Sequence, residues 1–521
     1  MRVLLWHGWL LEGSGSNVYT ARVAEVLRRS GHDVLLVCQE RHVDRYEFLD
    51  AWGTVGPEGV SALAELPRQR GAGRGILVRP EIGTLLPVFV IDEYEGFEVK
   101  RFVDLSPREL DEYLERNVGA LRAAVDWFHP HAVIAGHAVP GAVVARRAIG
   151  PGSYSAKVHG SDLEYTVRLQ PRYLALAQEG LEGARAVVGP TADVLARTVE
   201  LVPSVAGKTE VVPPGVEVER FRPMPRREAL EETAGRLRTD PDTARGRPSS
   251  LDTLVRQAIA GRDAQRLDDL AHTYDQTVPD QEAAGRLKAL ASHDGAVVGY
   301  IGKLIPQKGA DLFLAALPLL PPETRALVVG FGLHREWLSA LVQCLDGGDE
   351  QSLSWLRSVS HLVSDLPQAA VAAAKGLGSR ITFTGRLDHR YAPGALAAMD
   401  VLVVPSVLDE AFGMVTAEGA AAGALPLVAR HSGLAEVGSA LEESVHRPGL
   451  FTFEPGAGAV EAIAAGLDRL LRLGPGEREE LRMGVSGFVA REWTWERTAR
   501  RLLAASGASP GQLDPLRRRP G

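Results

Sequence analysis

The chain has 521 residues, more than one hydrophobic core usually supports, so two or more domains are expected. With 45% hydrophobic and 24% charged residues it reads as a folded globular protein, which excludes disorder as the default. A formal net charge of −8 excludes a nucleic-acid binder, because phosphate backbones select broad basic surfaces and only Arg517-Arg-Arg519 is locally basic.

That tail reads as a solvated terminus, since a membrane tether takes more charge or a lipid, and peripheral membrane contact has no other support. Residues 2–6 enter an apolar strand directly, without a signal-peptide core, and no later run reaches membrane-spanning length. A cytoplasmic protein with no integral membrane segment is expected. Leu11-Glu-Gly-Ser-Gly-Ser-Asn17 then leads into a helix over about 17–30 that Gly31 stops, and Gly13, Ser14 and Gly15 allow backbone to approach a ligand closely. A dinucleotide fingerprint needs a third Gly or Ala where position 18 is Val, so an NAD site has little support. Strands follow at 33–38, 132–135, 155–159, 184–188 and 209–212, a pattern that predicts a doubly wound parallel sheet. Cys38 lies in a strand and Cys344 in a helical stretch, without metal or redox spacing, so both read as buried thiols.

Residues 225–294 break the pattern with a charged helical stretch interrupted by Pro241, Pro248 and Pro279. Strands resume at 296–301, 325–329, 380–383, 401–404 and 425–429. A second insertion, about 334–378, carries Leu353, Trp355, Leu356, Val359 and Leu362 at helical spacing. Surface packing on its own domain is the favoured reading of each insertion over an acceptor-binding lid. The expected domains are 1–215, a linker and insertion at 216–294, a second domain at 295–475, and helices at 476–521 returning toward the first.

The segment Glu410-Ala-Phe-Gly-Met-Val-Thr-Ala-Glu418 sets two carboxylates at the carboxyl end of the 401–404 strand, where open parallel sheets bind ligands. Amides of Gly413, Met414 and Val415 at the helix start suit a diphosphate, Glu418 about one turn inside suits a ribose, and Glu410 a second polyol. Together these describe a nucleotide sugar. On spacing alone, such a pair is more often a solvated helix face. Lys303 and Lys308 flank another strand-to-helix turn, where both ammonium groups can reach one anion and stabilise a departing diphosphate. His159 ends a strand before Gly160-Ser-Asp162. No Asp, His or Glu cluster has metal-ligand spacing, so no metal is required, and no Ser-His-Asp order or zinc motif marks a hydrolase.

The Glu-x7-Glu segment resembles the signature of retaining glycosyltransferases of family 4. Gly299-Tyr-Ile-Gly-Lys-Leu-Ile-Pro-Gln-Lys-Gly309 is similar to that family's phosphate-binding turn. Val211 through Phe221 resembles its linker entry, His159-Gly-Ser-Asp162 its histidine loop, and the segment 493–503 its returning helix. The resemblance implies the GT-B fold, an α/β architecture of two Rossmann-like doubly wound domains facing a cleft, here with helical insertions. It further implies that His159 contacts the transferred sugar, that the loop holding Gly13 to Gly15 approaches donor phosphate or acceptor, and that backbone at Arg386 and Leu387 reads the nucleobase. The family usually has Arg where this chain has Lys303, and Lys cannot make the bidentate phosphate contact.

The expected activity is therefore transfer of a hexosyl group from a nucleotide-diphosphate sugar to a hydroxyl acceptor, with retention at the anomeric carbon. The acceptor would be a saccharide, a small polyol or a lipid-linked sugar. The N-terminal domain would hold it and the C-terminal domain the donor, with no permanently bound cofactor. Glu410, Lys308, Lys303 and His159 would act at the reacting centre. A front-face displacement, in which the leaving phosphate takes the acceptor proton, is implied by the resemblance. The alternatives are a nucleotide-sugar epimerase of the same fold, which would need an acid/base pair, and a catalytically silent sugar-nucleotide sensor.

Overall fold

The computed structural model describes residues 1–67, 71–90, 94–362, 366–509 and 511–513. The basic tail at 517–519 lies outside them. The chain divides into two compact units, one of Met1–Gly215 with Trp493–Gly521, the other of Val216–Glu492.

The first unit is built on strands β1 (Arg2–Trp6), β2 (Asp33–Val37), β3 (Ala51–Gly56), β4 (Gly75–Pro80), β5 (Ala132–Gly136), β6 (Ser155–Lys157), β7 (Val187–Gly189) and β8 (Thr209–Val211). Their order is β8-β7-β6-β5-β1-β2-β4-β3, all parallel, with the short strands Gly59–Val60 and Ala64–Glu65 antiparallel on β3. Apolar runs such as Val3-Leu4-Leu5 fill both faces of a buried parallel strand, and these side chains are buried. Strand order reverses between β1 and β5, which opens a ligand crevice at their carboxyl ends.

The Gly15–Arg29 helix begins where the Ser14 hydroxyl accepts the Asn17 amide (3.4 Å) and ends at Gly31, whose φ of +90° favours glycine. The Pro107–Phe128 helix starts from a reciprocal cap between Ser106 and Glu109. The Trp495–Ala505 helix completes this unit. Trp495 meets Tyr19 edge-on (centroids 5.6 Å apart), and Thr498 Oγ1 donates to the Pro213 carbonyl at 2.8 Å.

The second unit is built on β9 (Val297–Lys303), β10 (Arg325–Phe331), β11 (Ile381–Phe383), β12 (Val401–Val404), β13 (Leu425–Ala429) and β14 (Thr452–Phe453). They form a parallel sheet ordered β11-β10-β9-β12-β13-β14, which reverses between β9 and β12. The Pro475–Glu492 helix belongs here, where Ser486 Oγ and Arg482 Nε donate to the carbonyls of Ala421 and Gly423 (2.9 and 2.8 Å). The return to the first unit thus starts at Trp493, later than the expected residue 476.

The two insertions lie in the second unit and pack on each other. Helices Leu251–Gly261 and Ala264–Ala271 of the first meet Arg335–Gly347 of the second. Arg247 grips Glu336 through two bonds (2.7 and 2.8 Å) with both side chains fully buried, and the Tyr274 hydroxyl donates to the same carboxylate at 2.9 Å. Among the described residues no helix is long and apolar enough to cross a membrane.

Candidate functional site

At the carboxyl end of β12 the chain runs through a loop holding Glu410 into the Met414–Ala421 helix. Gly413 caps that helix at φ +77°, and a Cβ there would collide with Leu434, so only glycine fits the turn. The helix-start amides of Met414 and Val415 have no intrahelical acceptor, and the helix dipole gives that end partial positive charge.

Lys308 reaches this place from β9, the neighbouring strand. Gly309, at φ +66°, packs against the Pro405 carbonyl, and the Val407 amide donates to the Gln307 carbonyl at 2.9 Å. These contacts lock the two strand-end loops together and bring Lys308 Nζ into an ion pair with Glu410 Oε1. The Glu410 backbone is held too, its carbonyl accepting the Gly433 amide at 2.9 Å. Lys303 has a different neighbour. Its ammonium lies 5.8 Å from the centroid of Phe331, which also carries the Arg386 guanidinium at 5.0 Å. The two lysines expected to share an anion thus have different neighbours in the structure.

Glu418 sits on the helix with Oε1 3.4 Å from His389 Nε2. His389 was not picked out from the sequence, where it sits in a charged loop with no motif around it. Arg220 holds its carbonyl at 3.0 Å and Phe221 meets its ring edge-on at 5.7 Å.

The turn after β11 has the first insertion as its neighbour: Asp280 donates its amide to the Thr384 carbonyl (2.8 Å), and the Arg386 amide donates to the Val278 carbonyl (3.4 Å). Arg386 Nη1 lies 3.5 Å from the Thr277 carbonyl. Of the backbone groups at Arg386 and Leu387, the Arg386 amide is therefore engaged, and the Leu387 side chain is buried beside it.

The first unit gathers a separate cluster. His7 follows β1 directly, His137 follows β5 and His159 lies two residues past β6, so three adjacent strands present imidazoles at their carboxyl ends. The His137 and His159 rings are 4.4 Å apart and those of His7 and His137 6.0 Å. Among the described residues no group of His, Cys, Asp and Glu is arranged to hold a metal ion.

Asp162, fully buried, ties two of these loops together by accepting the amides of Ala138 (2.6 Å) and His159 (3.3 Å). Burial raises its carboxyl above the usual range, against those amides. His7 bonds Asn17 Oδ1 through Nε2 (2.9 Å) and Thr20 Oγ1 through Nδ1 (3.3 Å), which links the histidine row to the Gly13–Ser14–Gly15 loop. Gly13 there has φ +94° with open space around a built Cβ, so its backbone conformation and not crowding selects glycine. Ser14 is engaged as the helix cap and Gly15 opens the helix.

Burial dominates the electrostatics of this cluster. It brings His7 down to about 4 against the raising effect of the Asn17 bond. His137 and His159 are pushed well below the usual histidine range by burial first, then by neighbouring cationic groups. Lys157, buried with Nζ on the Val158 carbonyl (2.9 Å) and 4.9 Å from the centroid of the Tyr19 ring, is lowered to about 7, with Asp162 opposing. The row is therefore a set of uncharged imidazoles that can donate or accept single hydrogen bonds. His7, His137 and Lys157 were missed in the sequence. The available signal was a polar side chain at or just past the end of each buried strand.

Comparison with known proteins agrees with these features. A family model described as "Glycosyltransferase Family 4" matches residues 13–220, and one described as "Glycosyl transferases group 1" matches residues 357–473. A curated relative, the D-inositol 3-phosphate glycosyltransferase of Mycobacterium tuberculosis, is 30% identical over 276 residues, 52% of this chain and 50% of the relative. The chain thus spans about half the length of the curated relatives it matches. Sucrose-phosphate synthase from Thermosynechococcus elongatus superimposes with a TM-score of 0.56 at 18% identity, covering 97% of this chain and 99% of the other. Anabaena HepE in complex with UDP and glucose gives 0.55 at 13% identity, with 97% and 99% covered.

Proposed function

Since the chain belongs to the family 4, group 1 glycosyltransferases and has the GT-B fold, we propose that it transfers a hexosyl group from a nucleotide-diphosphate sugar to a hydroxyl acceptor, with retention. The observation that carries this is the strand-end site of the second unit, where Lys308 and Glu410 pair beside the helix start and Glu418 stands on the same helix. A diphosphate takes the positive helix start and Lys308, and Glu418 takes the ribose hydroxyls with His389 orienting its carboxylate. Glu410, released from Lys308 by the incoming anion, accepts hydrogen bonds from the transferred sugar. Stabilising the departing diphosphate by a fixed cation and fixed amides lowers the barrier without covalent catalysis by the protein. Leaving phosphate oxygen takes the acceptor proton, so no protein base is required. The acceptor belongs to the first unit, where the uncharged imidazoles of His137 and His159 bond hydroxyl groups and Gly13 to Gly15 admit a ligand to the backbone.

HepE was solved with UDP and with UDP-glucose, which supports a uridine nucleotide as the first donor to try. The test is incubation with a panel of nucleotide sugars and polyol acceptors, following nucleoside diphosphate release and the anomeric configuration of the product. Acceptor-dependent release with a retained configuration is expected. Return of an isomerised, intact nucleotide sugar identifies an epimerase, and binding without turnover a sensor.

A further inference from the structure

We propose that Arg41 and Arg79 form an anion-binding subsite on the carboxyl edge of the first unit's sheet, shaped for a phosphate or carboxylate group carried by the acceptor. The assignment to the acceptor rests on the transfer reading above; the anion site itself does not. Its place is where β2, β3 and β4 end, across the reversal point from the histidine row. An open cleft there is lined by Gln39, Arg41, Thr54, Arg79, Glu81 and Phe97, among others.

Both guanidiniums lie on aromatic faces, Arg79 4.8 Å from the Trp52 centroid and Arg41 4.5 Å from that of Phe97. Stacking fixes the plane of each group and leaves its N–H edges for an oxyanion. Other arginines of this unit have carboxylate partners, Arg45 with Glu12 at 2.8 Å and Arg28 with Asp50 at 2.7 Å. Arg41 and Arg79 have none among the described residues. Arg41 Nη2 bonds the Gly96 carbonyl (3.2 Å), while Arg79 Nε is buried with no hydrogen-bond partner.

The nearby carboxylates do not fill the site. Glu40 is turned to the amides of Leu11, Arg41 and His42 at 3.0, 2.9 and 2.8 Å, and Glu81 points toward Gly56. Two like charges, one of them with a desolvated donor, thus share a cleft in which no carboxylate among the described residues is paired with either, an arrangement that opposes folding. Burial, then the charge of Arg41, weakens proton binding by Arg79, against the opposing effects of Cys38 and Glu40. A bound oxyanion relieves both costs and supplies the missing acceptor for Nε.

The experiment is calorimetric titration of inorganic phosphate into the full chain at constant ionic strength, for the wild type and for Arg79→Gln and Arg41→Gln. Phosphate binding by the wild type, weakened about tenfold or more in each variant with circular dichroism unchanged, is expected. Binding that is equal in all three, or absent from the wild type, overturns the site. Should Arg79→Gln fail to fold, Arg41→Gln carries the test from an exposed side chain. Competition with a phosphorylated polyol and its unphosphorylated counterpart separates acceptor from free ion. Displacement of phosphate by the phosphorylated form alone supports the acceptor assignment, and displacement by neither overturns it. Nucleoside diphosphate release is scored separately, so its absence counts against transfer and not against the anion site.

Discussion

The carboxyl edges of the two sheets share a topology and differ in chemistry. In the second unit the strand ends carry polar groups held in pairs, the Lys308 ammonium on Glu410 and the His389 ring beside the Glu418 carboxylate. In the first, β1, β5 and β6 end in imidazoles that burial keeps uncharged. On the proposed function, the same crevice geometry suits a charged diphosphate in one unit and hydroxyl groups in the other. What decides between them is the side chain placed at or just past each strand end and how far it is removed from water.

The sharpest way to break this contrast is to remove the cation. Lys308→Ala is expected to lower turnover on the order of a hundredfold or more, as for loss of one oxyanion-stabilising donor. Near wild-type turnover at saturating donor removes the role given to the pair. The first unit is probed by acid. His7 has a folded value of about 4, below its unfolded value near 6.5, so the unfolded chain takes up this proton first as pH falls. Its contribution is present above pH 6.5 and is lost as pH falls toward 4, on the order of 3 kcal/mol at most. Denaturant midpoints measured across that range should fall less steeply in His7→Gln than in the wild type; parallel slopes would remove the claim that this imidazole is buried uncharged.

A smaller effect is expected from Glu418→Gln, which should weaken nucleoside diphosphate binding about tenfold through the lost charge-assisted bonds to ribose. Unchanged affinity for a ribonucleotide, or an equal loss for its 2′,3′-dideoxy analogue, contradicts the ribose assignment. His389→Ala should act through Glu418 and cost donor affinity about threefold, a hydrogen-bond-sized effect. It should add little in a chain that already carries Glu418→Gln; full additivity would make His389 independent of the carboxylate.

The sequence made the strand-end glutamates legible because an apolar run, a glycine turn and a small-residue helix follow in a few local residues. His159 and the Gly13 to Gly15 loop were legible for the same reason. The histidine row was not, since β1, β5 and β6 are more than a hundred residues apart at their extremes and become neighbours only through the strand order. Nor was the fate of Arg386, whose amide is taken by Val278, a residue about a hundred positions earlier in a stretch that carries no strand pattern. Local signals revealed the turns; the partners of those turns depend on long-range packing.

The buried grip of Arg247 on Glu336 bears on how this chain can be recombined with its relatives. Each insertion holds one half of a pair whose other half lies 89 positions away. Grafting either stretch alone into another scaffold, or deleting one, would strand an ion in a dry interior at a cost of roughly 3–5 kcal/mol. The segment Thr277 to Asp280, which lies along the turn after β11, would go with it. The two insertions therefore form a single heritable cassette, to be exchanged whole or left in place.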